Sequence, residues 1–436
     1  MTKNDQIFLN RLNEHPELRE RMEGLLNMVE NETGNFTKAN DAEQYAIDEL
    51  RKMGNDILHS WAKKAAKKST ENFGAKNKTH SGDGKKKVQW HTTYGLIEVE
   101  ERIFRCAGKR YRPFMKSAEI TSRCYSIPLQ RVMTDFGADH PFEQVCNKLQ
   151  EHYGITLPKS SIRKTTLSHG QKMQELKKDA TLPSINKLGC EQQIGEIDGC
   201  MLPIVTIGNS EGDKRKQKTL NWQEARLALV HEKDSVKPKF DATFKGSVDE
   251  AGQALLNCAV AAGFGKKTHL HAVSDGAFWI MDQVTTKFAT QASYLVDFFH
   301  VCEYIAGASK TCNPDNHRAW AKQQETLLKN NEFEKVIQNL AIHLEPAEIE
   351  SSKAPVRACH RYLSNRKDQL DYKTAIEKGL PIGSGEIESA HRYVIQKRLK
   401  LPGAWWITDN VESMLRLRVV RANDDWQEYW SSSVAA

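Results

Sequence analysis

The sequence contains no long apolar run. No stretch among its 436 residues approaches the ~18 apolar residues that a membrane-spanning helix needs, so we expect no membrane partner. The first ten residues are largely polar and charged, which predicts no secretory signal. The nine cysteines are scattered and include no Cys-x-x-Cys pair. This pattern is typical of reduced thiols in a cytosolic protein rather than of a disulfide framework or a zinc site.

Neither sign of charge dominates the composition. Lysine and arginine together number 63 against 56 aspartates and glutamates, a net charge of +7, and 39% of the residues are hydrophobic. Such a composition is typical of a globular protein, and a chain of this length is expected to form two or three domains. A mild basic excess fits a nucleic-acid partner, but many basic proteins bind nothing acidic, so charge alone leaves the function open.

The most informative stretch lies at residues 380–406. A glycine-rich loop precedes a predicted helix, for which Ser384 is a suitable N-cap. Glu386 falls in the first turn, where a carboxylate is stabilised by the helix dipole. Glu388 follows on the same predicted helix, and basic residues lie further along. This pattern indicates a carboxylate that is held on a rigid helix beside a flexible loop.

Two further acids follow apolar, strand-like segments. Asp198 lies in the alternating segment 194–199 and Asp275 ends the segment 269–275, and a glycine follows each acid. Two such acids together with a later helical glutamate are the layout of a carboxylate site for divalent cations, which prefer oxygen ligands. Two such cations can clamp the attacking and leaving oxygens of a phosphodiester. The alternative is that Asp-Gly merely ends a strand, as it often does.

The order of predicted elements around these acids favours one fold class. Three strands and a helix precede a fourth strand, which a helix and a fifth strand follow; the strands are predicted at residues 193–207, 222–230, 240–244, 268–274 and 293–298. This order is typical of an RNase H-like fold within the α/β class. In that fold the first strand lies beside the fourth, which would bring Asp198 and Asp275 together. The long helical stretch that follows is predicted to be an α-helical insertion into this core.

The N-terminal part is predicted to be helical and then basic. Apolar residues recur at helical spacing over residues 7–68. Residues 63–87 are rich in lysine, glycine, serine and threonine, which predicts a flexible linker. Such a linker either follows a DNA backbone or stays solvated.

A β-ribbon and a helix-turn-helix pattern come next. Alternating apolar residues predict the ribbon over residues 88–114. A helix with one apolar face then ends at the predicted turn 154–158, and the next helix carries Arg163 and Lys164. In a helix-turn-helix this second helix would enter the major groove of DNA. The spacing also arises by chance, so these residues alone leave DNA binding open.

Four segments together give the sequence a family resemblance. They are Asp198-Gly199, Ser274-Asp275-Gly276-Ala277-Phe278-Trp279, Leu295-Val296-Asp297-Phe298-Phe299-His300-Val301-Cys302-Glu303, and the stretch from Gly383-Ser384-Gly385 to Trp406. In order and spacing they resemble bacterial insertion-sequence transposases of the Asp-Asp-Glu (DDE) type, close to the Kra-type group. The similarity extends from about residue 88 to residue 430.

The resemblance implies a DNA transposase and a catalytic triad. Such an enzyme cuts the ends of an insertion sequence and joins the freed 3′-hydroxyl to target DNA. Asp198 would bridge two Mg²⁺ ions, Asp275 would bind one and Glu388 the other, and Mn²⁺ is a plausible substitute. The family motif favours Glu388 over Glu386, which would then serve only the helix start. The family also carries Asp297 and His300 as auxiliary residues, although a structural polar cluster that includes Glu303 is the alternative.

The expected partner is double-stranded DNA, at both the element ends and the target, bound by a homo-oligomer in the bacterial cytoplasm at the nucleoid. Arg163 and Lys164 are predicted to contact DNA. Further candidate phosphate contacts are Arg392, Lys397, Arg398 and Lys400, together with Lys214, Arg215 and Lys216 in a polar loop. Each basic group has the alternative of being a solvated face.

The predicted domains are N-terminal helices and a basic linker (1–87), a β-ribbon and helix-turn-helix region (88–180), the first part of the RNase H-like core (181–305), the α-helical insertion (306–378), and the C-terminal core helices with the catalytic glutamate (379–436). Two other functions fit the same residues. One is a domesticated or inactive relative that binds DNA sequence-specifically, and the other is an RNase H-like nuclease without strand transfer.

Overall fold

The structure, a computed structural model, describes residues 2–30, 38–179, 185–208 and 217–435. The chain divides into two compact units, Met1–Thr166 and Leu167–Ala436. The phosphate contacts predicted for Lys214, Arg215 and Lys216 lie outside the described residues. Within the described residues, no helix combines the length and the apolar composition that crossing a membrane requires.

Three helices open the first unit: α1 (Lys3–Asn13), α2 (Pro16–Glu30) and α3 (Ala39–Lys76). The prediction of a flexible linker over residues 63–87 is wrong, because α3 continues through Lys76 and a strand begins at Ser81. Lysine and alanine are good helix formers. Ala62 and Ala66, one turn apart, are buried, while the neighbouring lysines face solvent. The basic stretch is therefore the outer face of a packed helix.

A four-stranded mixed sheet packs on α3. Its strands are β1 (Ser81–Thr92), β2 (Gly95–Cys106), β3 (Lys109–Tyr111) and β4 (Cys124–Tyr125), in the order β3-β2-β1-β4, with the short helix α4 (Pro113–Ser117) between β3 and β4. Strands β1 and β2 form a long antiparallel hairpin. The predicted β-ribbon is confirmed, and it begins earlier than predicted.

The predicted helix-turn-helix pair is present as two helices and a turn. Helix α5 (Ile127–Asp139) is followed by α6 (Phe142–Tyr153) and α7 (Lys159–Asp179). Gly154 ends α6 with a φ of +66°, a left-handed conformation that glycine adopts without strain. Val145 and Leu149 of α6 and Ile162 of α7 share one buried cluster. Arg163 and Lys164 are exposed on α7.

The second unit is built on a five-stranded mixed sheet. Its strands are β5 (Gln192–Ile207), β6 (Lys218–Glu232), β7 (Lys239–Phe244), β8 (His269–Ser274) and β9 (Ala292–Val296), with α8 (Val248–Ala261) and α9 (Phe278–Phe288) between strands. The order is β7-β6-β5-β8-β9. Strands β5, β6 and β7 are antiparallel, whereas β8 and β9 run parallel to β5. The predicted pairing of the Asp198 strand with the Asp275 strand is confirmed.

Strands β5 and β6 reach well beyond the rest of the sheet. Strand β8 pairs with β5 only as far as Glu196, and β7 pairs with β6 only from Ala225 onward. Residues 201–207 and 218–224 therefore pair, within the sheet, only with each other. We call these two segments the hairpin arm.

Helices cover both faces of the sheet, because successive side chains of a strand point to opposite sides. Leu270 and Ala272 of β8 pack with α8 and α9. Val273 packs on the other side with α10 (Phe298–Cys312), α11 (His317–Lys329), α12 (Phe333–Ala341), α13 (Pro355–Ser364) and α14 (Tyr372–Glu377). The helices that were predicted to begin a separate insertion at residue 306 share this core, and residue 306 lies inside α10.

The C-terminal region is helical and irregular. Helix α15 (Gly385–Ala390) continues as a π-helical turn (His391–Gln396) and the short α16 (Lys397–Leu399), and α17 (Thr408–Ala422) and α18 (Trp426–Ala435) follow. A π-helical turn leaves backbone carbonyls without their usual partners. Buried Arg418 of α17 donates hydrogen bonds to the carbonyls of Tyr393 and Val394. The irregular turn is thus satisfied by a side chain from the next helix.

The His169–Tyr429 contact predicts a pH dependence of stability. Burial, with a smaller effect of Lys172, lowers the pKa of His169 to about 4, and the Tyr429 hydroxyl lies 2.7 Å from its Nδ1. The unfolded chain binds a proton near the ordinary pKa of about 6.5, so the free energy of unfolding falls as the pH drops from 6.5 to 4. We expect a loss of at most about 3 kcal/mol from this residue.

The measurement is urea unfolding of wild type and His169→Asn between these two pH values. Asparagine keeps a polar group near Tyr429 but does not titrate. The slope of the free energy of unfolding against pH should therefore decrease in the variant by an amount that corresponds to at most one bound proton. An unchanged slope would show that His169 does not cause it.

Candidate functional site

An open pocket beside the end of β8 brings together acids from distant parts of the sequence. Its lining consists of Ile197, Asp198, Asp275, Asp297, Phe299, His300, Glu303, Ser384, Ile387 and Glu388. All three residues of the predicted triad are in this lining, and so are the auxiliary candidates Asp297 and His300. Glu386 is not. The structure therefore gathers one carboxylate from each of three separate chain segments at one solvent-accessible place.

Asp198 lies inside β5, two residues beyond the last residue that pairs with β8. Its Oδ1 accepts a hydrogen bond from the Gly199 N–H at 2.7 Å, and its Oδ2 lies 3.4 Å from His391 Nε2. Steric crowding explains the glycine at the next position, because a Cβ on Gly199 would lie 2.3 Å from Glu224 Oε1. The Asp-Gly pair therefore does not end this strand.

Asp275 follows β8 directly, and its backbone turn is held from outside the sheet. Gly276 has a φ of +86°, and a Cβ there would lie 2.5 Å from the Tyr362 hydroxyl. Tyr362 donates a hydrogen bond to the Asp275 carbonyl at 2.7 Å, and Arg366 Nε donates one to the Gly276 carbonyl at 2.8 Å. The Asp275 Oδ1 caps the turn by accepting from the Ala277 N–H at 3.0 Å. The helical stretch after the fifth strand thus fixes this acid.

Aromatic stacking stiffens these two donors. The Arg366 guanidinium lies 3.9 Å from the Tyr362 ring centroid and 4.5 Å from that of Phe278. Tyr304 of α10 stacks on Tyr362 with ring centroids 4.1 Å apart and an angle of 15° between the planes. Cation–π and stacking contacts limit the rotamers of both side chains. The Asp275 turn therefore rests on a rigid support.

Asp297 uses both carboxylate oxygens to join two elements. Its Oδ1 caps α10 by accepting from the N–H groups of Phe299 and His300, at 2.6 and 3.1 Å. Its Oδ2 accepts from the Ser384 N–H at 2.6 Å and from the Ser384 hydroxyl. The ring of Phe299 then lies so close to Gly383 that a Cβ there would be 2.7 Å away. Asp297 is therefore a buried residue that positions the glycine-rich loop.

The two glutamates of α15 have different surroundings. Glu388 is exposed and lines the pocket. The Oε2 of Glu386 lies 3.0 Å from Nε2 of the buried His231 on β6. Ser384, predicted as the N-cap of this helix, instead directs its hydroxyl to Asp297. Glu388 is therefore a carboxylate of the pocket, whereas Glu386 is paired with His231.

His300 and Glu303 form a pair at the rim of the pocket, 3.7 Å apart between Nδ1 and Oε2. The ring of His300 also contacts Tyr304 and Tyr362, with centroids 5.6 and 5.9 Å away. His300 is therefore packed against the aromatic support of the Asp275 turn.

A buried carboxyl group beneath the pocket was not predicted from the sequence. Glu196 is 1% exposed, and its Oε2 accepts a hydrogen bond from the Ile387 N–H at 2.7 Å. Burial raises the pKa of Glu196 to about 8, the hydrogen bond opposes this, and the nearby carboxylates of Glu386, Asp297 and Glu388 add to the rise. The one available signal was an acid that shares a strand face with Asp198 and precedes it by two positions. Its contact places the first turn of α15 against β5.

His391 was also not named as a site residue. Burial lowers its pKa, but the nearby side chains of Asp198 and Cys200 outweigh this and raise the pKa to about 9. Nε2 of His391 lies 3.4 Å from Oδ2 of Asp198. A cation one turn along from Glu388 thus offsets part of the negative charge of the carboxylates.

The predicted phosphate contacts after Glu388 differ in exposure. Arg392, Lys397 and Lys400 are exposed. Arg398 is only 2% exposed, and its guanidinium lies 4.9 Å from the ring centroid of Trp406. The prediction of a surface contact is therefore wrong for Arg398, because it continues the buried row Ile387, His391 and Val394 at helical spacing and packs against Trp406.

The residues of the pocket fit divalent cations in chemical kind. Asp198, Asp275 and Glu388 supply oxygen ligands in an open pocket, which suits Mg²⁺ or Mn²⁺. Across residues 2–30, 38–179, 185–208 and 217–435, however, no group of three or more His, Cys, Asp or Glu side chains is gathered closely enough to hold a metal ion as it stands. Asp198 is turned toward His391, so cation binding requires side-chain rotation.

Comparisons with known proteins identify no family for this chain. No family model matches it, and no curated protein matches it. Among solved structures, a Drosophila P element transposase strand transfer complex is similar over 74% of this chain and 84% of that chain, at 9% sequence identity and a TM-score of 0.27. A TM-score this low does not define a shared fold.

The support of the Asp275 turn predicts a stability effect. Arg366→Met keeps a long apolar side chain but removes the donor to the Gly276 carbonyl and the cation above Tyr362. Leaving a buried carbonyl unpaired costs about 1–3 kcal/mol. Urea unfolding should show this loss, whereas Arg361→Met, an exposed arginine on α13, should change stability by less than about 0.5 kcal/mol. Equal effects of the two substitutions would contradict the role of Arg366.

Proposed function

We propose that this protein is a DNA transposase of the Asp-Asp-Glu type, which cuts the ends of an insertion sequence and joins the 3′-hydroxyl to target DNA. The observation that carries the proposal is the convergence of Asp198, Asp275 and Glu388 on one open pocket. Carboxylates that line one open pocket offer the oxygen ligands that divalent cations take, and an open site admits a large polyanionic substrate.

The sheet supports an RNase H-like core as part of this proposal. The strand order is β7-β6-β5-β8-β9, with three antiparallel strands followed by two parallel ones, and it includes the pairing of the first and fourth strands that we predicted for that fold. Asp198 on the central strand and Asp275 at the end of its parallel neighbour then meet at one edge. Glu388 joins them from a helix that comes after the helical insertion.

In this proposal Asp198, Asp275 and Glu388 hold two Mg²⁺ ions, and Mn²⁺ would substitute. When bound, such cations activate a hydroxyl nucleophile and neutralise the charge that develops on phosphate oxygens. The other residues position the ligands. Asp297 holds the loop ahead of α15, and Tyr362 holds the turn of Asp275. No covalent protein intermediate is needed.

DNA contacts follow from exposed basic residues. In this proposal the exposed residues Arg163 and Lys164 on α7 contact a DNA groove or backbone, and the exposed residues Arg392, Lys397 and Lys400 contact phosphates. We further propose that the protein acts as a homo-oligomer on DNA, because two element ends must be handled together.

The proposal predicts different effects of the two glutamates on α15. Glu388→Gln should reduce Mg²⁺-dependent cleavage of a duplex carrying the element end by more than about 100-fold, since losing even a partner of a metal ligand costs about 10–100-fold. DNA binding without metal should be retained. The matched control is Glu386→Gln, two residues away and paired with His231, which should cleave within about threefold of wild type.

Each alternative gives a different result in the same assay. Cleaved 3′ ends that are never joined to a target would identify a nuclease without strand transfer. Binding without cleavage by the wild type would identify a DNA-binding relative. Equal cleavage by wild type and Glu388→Gln would rule out Glu388 as the third carboxylate.

A further inference from the structure

The hairpin arm exposes an unusual set of large apolar side chains on one face. Directly opposite residues of an antiparallel pair point to the same side. The pairings Met201–Glu224, Pro203–Trp222, Val205–Leu220 and Ile207–Lys218 therefore define one face of the arm. On this face the exposed apolar residues are Met201, Ile207, Leu220 and Trp222. A surface of this kind on a two-stranded ribbon marks a binding site.

A second exposed tryptophan lies in the segment that follows α16. The Val205 N–H donates to the Trp406 carbonyl at 2.8 Å, and Trp406 forms a parallel bridge with Ile204. This pairing holds the segment after α16 along the arm. Trp406 is buried, whereas Trp405 is 58% exposed, close to the 56% exposure of Trp222.

Each exposed indole has a lysine beside it. Lys400 Nζ lies 6.0 Å from the ring centroid of Trp222, and Lys218 Nζ lies 5.9 Å from that of Trp405. Glu224 is the one acid in the arm segments 201–207 and 218–224, and its Oε2 is 2.7 Å from Arg226. The face therefore combines flat aromatic surfaces with the lysine side chains of Lys218 and Lys400.

The arm also lies along the strand that carries a proposed metal ligand. Pro203, opposite Trp222, is five residues from Asp198 on β5. At about 3.3 Å per residue, Trp222 lies roughly 17 Å along the strand from that acid. The Asp198 side chain points to the opposite face of β5, so an unpaired strand that extends from the pocket would pass over the edge of the arm to meet the two tryptophans.

We propose that the hairpin arm binds unpaired nucleotides of single-stranded DNA, with bases stacked on Trp222 and Trp405 and phosphates contacted by Lys218 and Lys400. Aromatic side chains combined with cations are the features that bind single strands without sequence preference. Bases within a duplex already stack on one another and cannot present their faces, so the ligand is unpaired. The inference rests on the proposed function, because it assigns a path to a strand that extends from the cleaved site.

The test uses the full-length protein with a chelator in place of divalent metal. Fluorescence anisotropy would measure binding of a labelled oligothymidine of about 20 nucleotides and of a blunt duplex of equal length. Trp222→Ala and Trp405→Ala should each weaken oligothymidine binding at least about fivefold, and the double variant further. Duplex binding should change less than about twofold, and Trp222→Tyr should keep most of the affinity because tyrosine also stacks.

Trp61→Ala is the matched control, since Trp61 is 47% exposed and lies in the first unit. Both arm tryptophans are more than half exposed, so melting curves should match wild type. Unchanged oligothymidine binding, an equal loss in Trp61→Ala, or an equal loss of duplex binding would each overturn the inference. A wild type that binds through these tryptophans but never cleaves would refute the proposed function and leave the binding site intact.

Discussion

The site depends on the buried carboxylate of Asp297. Four donors from two elements converge on it: two backbone N–H groups at the start of α10, and the N–H and hydroxyl of Ser384. Hydrogen bonds to a charged group are each worth about 1.5–3 kcal/mol, so the glycine-rich loop is tied firmly to the end of β9. Together with the Glu196 contact to Ile387, this link fixes the direction in which α15 leaves the sheet and so the place of Glu388 in the pocket.

The helices after β9 belong to the site as much as to the core. They bury Val273 and Val296 of the sheet, and from that base Tyr362 and Arg366 reach the backbone on either side of Asp275's turn. A rigid second layer of this kind is what holds charged ligands at fixed positions. The stretch that was predicted to be an insertion therefore orients Asp275.

Local sequence patterns predicted the strands of the second unit well, but they predicted the lysine-rich segment and the contacts between distant segments poorly. Alternating strands and the order of elements identified β5 to β9 and brought Asp198 beside Asp275, because period-two burial is visible in sequence. The lysine-rich segment was misread, since its two buried alanines are less conspicuous than its charges. Glu196 and the Tyr362 support escaped prediction because both act through tertiary contacts with distant backbone atoms, which no local pattern records.

The π-helical turn at His391–Gln396 has a consequence for how this region tolerates change. Compared with an α-helix, the wider turn accommodates an additional residue, and one residue corresponds to about 100° of rotation about the helix axis. That additional residue therefore determines the rotational position, about the helix axis, of everything that follows. This includes the inward-facing Arg398 and the segment that leads to Trp406. A one-residue deletion here would turn the downstream surface about a quarter revolution while leaving Glu388 in place, so the number of residues in this turn is a constraint in addition to the identity of its buried side chains.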